Sequence, residues 1–175
     1  DYIYEVKRYA FRRGVDIAGT GVTNNFANPD IEARRKDVER VKDWIDVASK
    51  LGAPVLRIFS GLVPIGYEGR WDEVASWMIP CFKEVAEYGK SKGVIIGVQN
   101  HGDMLATGEQ TVKVLEAVNH PWFGLILDTG YFHTDNPYKD MEMCLPYVIN
   151  WQIRKCQGKG EYGSYRSEAD YENGS

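Results

Sequence analysis

Basic charge, cysteine and long apolar runs are all scarce in this 175-residue chain. Its 21 Lys and Arg stand against 25 Asp and Glu, for a net charge of −4. That balance leaves no electrostatic footprint for nucleic acid or for an anionic membrane surface. No apolar run approaches the roughly 20 residues of a membrane span. The three cysteines, Cys81, Cys144 and Cys156, are odd in number and lack paired metal-ligand spacing. They read as thiols packed as small apolar groups in a reduced, cytoplasmic compartment, not as a disulfide framework. The chain opens with Asp1-Tyr2, neither an initiator Met nor a signal peptide, so the natural N-terminus and any targeting segment are expected upstream. Nucleotide signatures are thin as well. Gly19-Thr20-Gly21-Val22-Thr23-Asn24 lacks the third Gly of a dinucleotide fingerprint, and neither a Walker-type phosphate loop nor a serine-hydrolase elbow is read.

What the chain does have is alternation. Val94-Ile95-Ile96-Gly97-Val98-Gln99-Asn100-His101-Gly102-Asp103 is an apolar, β-branched run closed by polar residues, as expected of a strand buried on both faces. Phe123 to His133 repeats the design, with Asp128 and His133 just after the apolar residues. Around these, helical spacing runs from Tyr2 to Arg13 and stops at Gly14, and Val15 to Ala18 reads as a short strand before a loop from Gly19 to Asn28. Asn28 is the expected cap of a helix ending at Gly52, with Pro29 at its first position. Pro54 to Gly61 is the next strand, and its Arg57 requires an anionic or polar partner. Asp72 to Lys92 is helical, with a kink expected at Pro80, and Thr107 with Gln110 forms a capping box for a helix reaching about Asn119. Asn136-Pro137 starts a last helix to about Leu145, and Tyr147 to Ile153 is a final strand. The tail 157–175 is Gly, Ser, Glu and Tyr without apolar period, expected as loop or disorder after a domain over 1–156.

Strict alternation of this kind implies a parallel α/β sheet, with functional groups collecting past the C-terminal ends of the strands. A complete (β/α)8 barrel needs about 250 residues. The expected fold is therefore a partial barrel, with strand edges that aggregate or stay partly molten unless they pair with another copy as a homo-oligomer.

The phrases Leu56-Arg57-Ile58-Phe59-Ser60-Gly61, Val98-Gln99-Asn100-His101-Gly102, Leu127-Asp128-Thr129-Gly130-Tyr131-Phe132 and Trp151-Gln152-Ile153-Arg154 resemble the xylose isomerase-like TIM barrels, the sugar phosphate isomerase/epimerase superfamily. The resemblance implies that the visible strands are the second to the sixth. It also implies a divalent metal, manganese or magnesium, at positions held here by Gln99, Asp128 and Gln152, with a fourth ligand, a Glu of the eighth strand, expected beyond this chain. A Gln oxygen brings no charge, so two such replacements weaken the site. The implied chemistry is proton transfer between neighbouring carbons of a sugar or polyol through an enediolate. Gln99 cannot serve as its base, so the resemblance assigns that role to a Glu of the eighth strand, which is expected beyond this chain. His101 and His133 stand as proton partners, and Arg57, Asn100, Arg154 and Lys155 as substrate contacts.

Plainer readings stand beside these. Asp128 is also a loop cap, His101 and His133 satisfied loop residues, Arg57 one half of an interior ion pair, and the two Gln a neutral pair for sugar hydroxyls. His120 precedes a strand and falls on the opposite face. The same resemblance admits a polyol dehydratase and an inactive carbohydrate-binding barrel. A repair nuclease is disfavoured by the acidic balance.

Overall fold

A computed structural model describes residues 1–154. Lys155, Cys156 and the tail 157–175 lie outside them. Helix α1 (Tyr2–Phe11) is followed by β1 (Thr20–Gly21), α2 (Ile31–Leu51), β2 (Val55–Ile58), α3 (Trp71–Lys92) and β3 (Ile95–Gln99). Then come α4 (Gly108–Val118), β4 (Phe123–Asp128), α5 (Pro137–Cys144), a 3-10 turn (Leu145–Tyr147) and β5 (Val148–Gln152). The five strands lie parallel in chain order, β1 beside β2 through to β5, which is the partial (β/α)8 barrel expected.

The helix boundaries follow from local chemistry. Gly52 and Gly93 end α2 and α3 in the left-handed region, at φ 78° and 71°, where a side chain is strained. Thr107 accepts from Gln110 N at 3.2 Å and Asn136 from Lys139 N at 3.2 Å, so both helices are capped, but the expected capping box is only half made, since Gln110 Oε1 is buried and has no hydrogen-bond partner among the described residues. The cap of α2 is Asp30, not Asn28. Asp30 Oδ1 accepts from Glu32 N at 2.8 Å, while Asn28 Oδ1 holds Asp30 N at 2.9 Å in a turn one step earlier. Helix α3 continues through Pro80, which stands on its solvent face.

Strand β1 departs from expectation. Val15 to Ala18 is not strand; Val15 is 57% exposed, and its amide closes α1 on Ala10 O at 3.2 Å. The pairing falls instead at Thr20–Gly21, within the segment expected as loop, opposite Leu56 and Arg57. A Cβ on Gly21 would lie 2.7 Å from Arg57 Nη2, so a larger residue here would push the guanidinium from its present position. A second departure concerns Gly89-Lys90-Ser91-Lys92-Gly93, which spells both a Gly-x-Ser-x-Gly and a Gly-Lys-Ser. It sits at the C-terminal end of α3 with Ser91 Oγ donating to Tyr88 O at 2.6 Å. A nucleophile elbow needs the reverse order, strand then helix, so the pattern has no chemistry here.

Alternation along the strands sorts residues into two layers. Leu56, Ile58, Ile96, Val98, Leu125 and Leu127 face the helices and are buried against Met78, Phe82 and Val85 of α3 and Val41 and Ile45 of α2. Phe26 and Phe82 meet edge to face at 5.4 Å in this core. The other face carries Val55 and Arg57, Gly97 and Gln99, Ile126 and Asp128. Gly97 leaves room for its neighbours, since a Cβ there would lie 2.6 Å from Ile126 Cγ1 and 3.3 Å from Val55 Cγ1. That inner face changes from apolar to polar at the C-terminal end of each strand, where the site lies.

Candidate functional site

Four successive strands bring polar side chains to one point. Arg57 stands near the end of β2, and Gln99, Asp128 and Gln152 close β3, β4 and β5. Gln99 is the hub. Its Nε2 donates to Asp128 Oδ2 at 2.9 Å and to Gln152 Oε1 at 2.8 Å, and its Oε1 accepts from Arg57 Nη1 at 3.3 Å. Asp128 is fully buried, and its Oδ1 accepts from Gly130 N at 2.9 Å. Burial lowers the pKa of Arg57 from its ordinary value.

The strand ends are held in register by two asparagines. Asn100 Nδ2 donates to Asp128 O at 2.9 Å and its Oδ1 accepts from Asp128 N at 2.8 Å, an amide standing in for a peptide unit of the ladder. Asn24 does the same with Phe59, donating to its carbonyl at 2.8 Å and accepting from its amide at 2.9 Å. Asn100, expected among the substrate contacts, is thus fully buried and engaged with the backbone of β4.

Beside the amide cluster runs a wall of rings. His101 lies between Phe59, at 4.9 Å, and Tyr131, at 4.0 Å between centroids. Arg57 covers the far face of this group, its guanidinium 4.2 Å from the Phe59 centroid, and Arg154 lies 4.9 Å from that of Tyr131. His133 meets Tyr131 edge-on at 6.0 Å. Burial first, with Arg57 and Arg154 adding to it, lowers the pKa of His101 below its usual value against the opposing pull of Asp103 and Asp128. The structure therefore gathers Arg57, Gln99, His101, Asp128, His133, Gln152 and Arg154 on one face. His120 is elsewhere, bonded to Glu87 at 3.0 Å.

Sequence reading missed Asn24, Phe59, Tyr131 and Asp103. Asp103 is buried, with Gly61 N at 3.4 Å and Leu105 N at 3.0 Å, and joins the loops after β2 and β3. Burial raises its pKa. A signal for Tyr131 was present, since it follows Asp128 within the same polar loop. Phe59 stood in the phrase Leu56 to Gly61 that carries the family resemblance, whereas Asn24 had no signal beyond its place in a polar loop.

The implied manganese or magnesium ion meets a donor set that does not suit it. A hard divalent cation takes oxygen ligands, charged ones above all. Here the described residues supply one carboxylate, and Gln99 turns its NH2, not its oxygen, into the space between Asp128 and Gln152. Reversing that amide would set its oxygen against Asp128 and its NH2 against Arg57, so the neighbours dictate the orientation. As arranged, these residues do not fit a divalent ion, and no group of three His, Cys, Asp or Glu able to hold one occurs among the described residues.

Comparisons with known proteins agree on the fold. A D-tagatose 3-epimerase-like protein superposes with a TM-score of 0.74 at 22% identity, over 86% of this chain and 60% of its own. The 3-keto-D-glucoside 4-epimerase of E. coli gives 0.76 at 11% identity, over 97% and 71%. A xylose isomerase-like TIM barrel protein from Mycobacterium smegmatis, solved in complex with magnesium, gives 0.67 at 19%, over 87% and 56%. The chain thus spans 56% to 71% of the length of these structures. No curated protein matches it in sequence. The family model of xylose isomerase-like TIM barrels matches residues 1–166, and the chain belongs to that family.

Proposed function

We propose that the chain carries the ligand face of a sugar or polyol isomerase/epimerase. The observation that supports it best is the convergence of Arg57, Gln99, Asp128 and Gln152 from four neighbouring strands beside the Phe59, His101 and Tyr131 rings. Amides offer a donor and an acceptor each, which suits vicinal hydroxyls, and ring faces suit the C–H side of a sugar. The family and the sugar-epimerase names of its structural neighbours point the same way.

The reaction is the movement of a proton between neighbouring carbons. Gln99 hydrogen-bonds substrate but accepts no proton. His101, held in place by the rings on either side, takes the proton, and His133 is its partner across Tyr131. Arg57 and Arg154 orient substrate oxygens. A second reading, sugar binding without turnover, is favoured by one residue: an amide at position 99 leaves that strand without a base.

The test is incubation of the chain with D-tagatose and D-fructose in deuterium oxide. Deuterium entering at the carbon next to the carbonyl, seen by proton NMR and lost in His101→Ala, supports turnover. Saturable sugar binding without deuterium uptake leaves the binding reading, and absence of both removes the sugar site altogether.

A further inference from the structure

Gln99 separates a cation from a carboxylate. On one side Arg57 Nη1 donates to its neutral oxygen; on the other its NH2 serves Asp128 and Gln152. A glutamate at this position would pair with Arg57 and cancel its charge, whereas a glutamine leaves that charge in place. Among the described residues Arg57 makes no ion pair, since its hydrogen bond is to an amide and its other neighbour is the Phe59 ring at 4.2 Å. The guanidinium is nevertheless half-buried and lies against Gly21, where a Cβ would come within 2.7 Å of Nη2 and displace it from this position. A half-buried cation without a counter-ion is costly, and a guanidinium presents five N–H donors in a fork that matches a carboxylate or phosphate.

We propose that this centre recognises a polyhydroxy ligand bearing an oxyanion, a carboxylate or a phosphate, with Arg57 as the site's cation in place of a divalent metal. The hydroxyls lie on the Gln99 and Gln152 amides and the oxyanion on the guanidinium. This rests on the sugar-site reading above and narrows its ligand class.

The experiment is calorimetric titration and thermal unfolding of the chain with D-fructose, D-gluconate, D-fructose 6-phosphate and manganese alone, in the presence and absence of EDTA. One anionic sugar should bind at least about tenfold tighter than D-fructose in EDTA, a charge-assisted gain. Which of the two does so tells carboxylate from phosphate. Manganese alone should leave the wild-type melting temperature unmoved. Arg57→Gln should lose the preference while keeping a cooperative melt. Gln99→Glu, by pairing with Arg57, should lose it too and acquire a manganese-dependent rise in melting temperature. Equal affinity for neutral and anionic sugars overturns the proposal and leaves the sugar site standing. So does manganese raising the wild-type melting temperature with EDTA abolishing sugar binding, or an undiminished preference in Gln99→Glu. Binding of no probe at all overturns both readings.

Discussion

At the scale of single residues, burial sets the chemistry more than sequence neighbours do. Asp103 is a carboxylate held in the interior by two backbone amides, and burial raises its pKa above the ordinary value of 3.8. The native state then holds this proton more tightly than the unfolded chain does. Its contribution to stability is present below the ordinary value and is lost as pH rises through the raised one. His101 is the titratable group acting on it, and attracts the ionised form. Asp103→Asn, which cannot ionise, should remove this fall, so that the difference in unfolding free energy between variant and wild type shifts in the variant's favour as pH rises through that window. Urea melts at a series of pH values read this directly, and parallel pH profiles would show that Asp103 titrates as it does in the unfolded chain.

At the scale of elements, the strands are short and their C-terminal ends are extended by side chains. Asn100 and Asn24 each supply the two hydrogen bonds that one more ladder residue would make. Removing Asn24 takes the partners of the Phe59 N–H and C=O, and removing Asn100 takes the partner of the Asp128 N–H and leaves its C=O only Tyr131 N at 3.5 Å, which costs about 1–3 kcal/mol. Asn100→Ala should therefore lower stability by that order in denaturant melts and also weaken sugar binding, because Asp128 is the residue it holds. Asn24→Ala should lower stability to a similar extent while acting on Phe59 instead. A neutral result for Asn100→Ala would show that the clamp is dispensable. The asparagines were visible in the sequence only as polar residues after strands. Their pairing depends on which strand lies alongside, which no local pattern contains.

At the scale of the whole chain, the sheet has two outer edges, β1 and β5. On β5 and just beyond it, Ile149, Trp151 and Ile153 are 39%, 47% and 77% exposed. An apolar edge strand with unpaired backbone groups is a template for association. The chain by itself should sediment above its 19.9 kDa mass, with the heavier species growing with concentration, and Trp151→Lys should suppress that growth. A sharp, reversible melt of a 19.9 kDa monomer would contradict it.

Strand and helix type, their order, the parallel sheet and the polar face were all legible in the residues, because burial on both sides imposes unbroken apolar runs and caps impose Asp, Thr, Asn and Gly at helix ends. Position β1 was not, because its two residues are strand only by lying beside Arg57, and their own apolar content is low. The expected ligands Gln99, Asp128 and Gln152 could be named in advance, as could Arg57. What they do to one another could not. Amide orientation, the hydrogen bond of Arg57 to a neutral amide and the placement of His101 between two rings are set by side chains from different strands within a few ångströms, and only the folded arrangement brings those into contact.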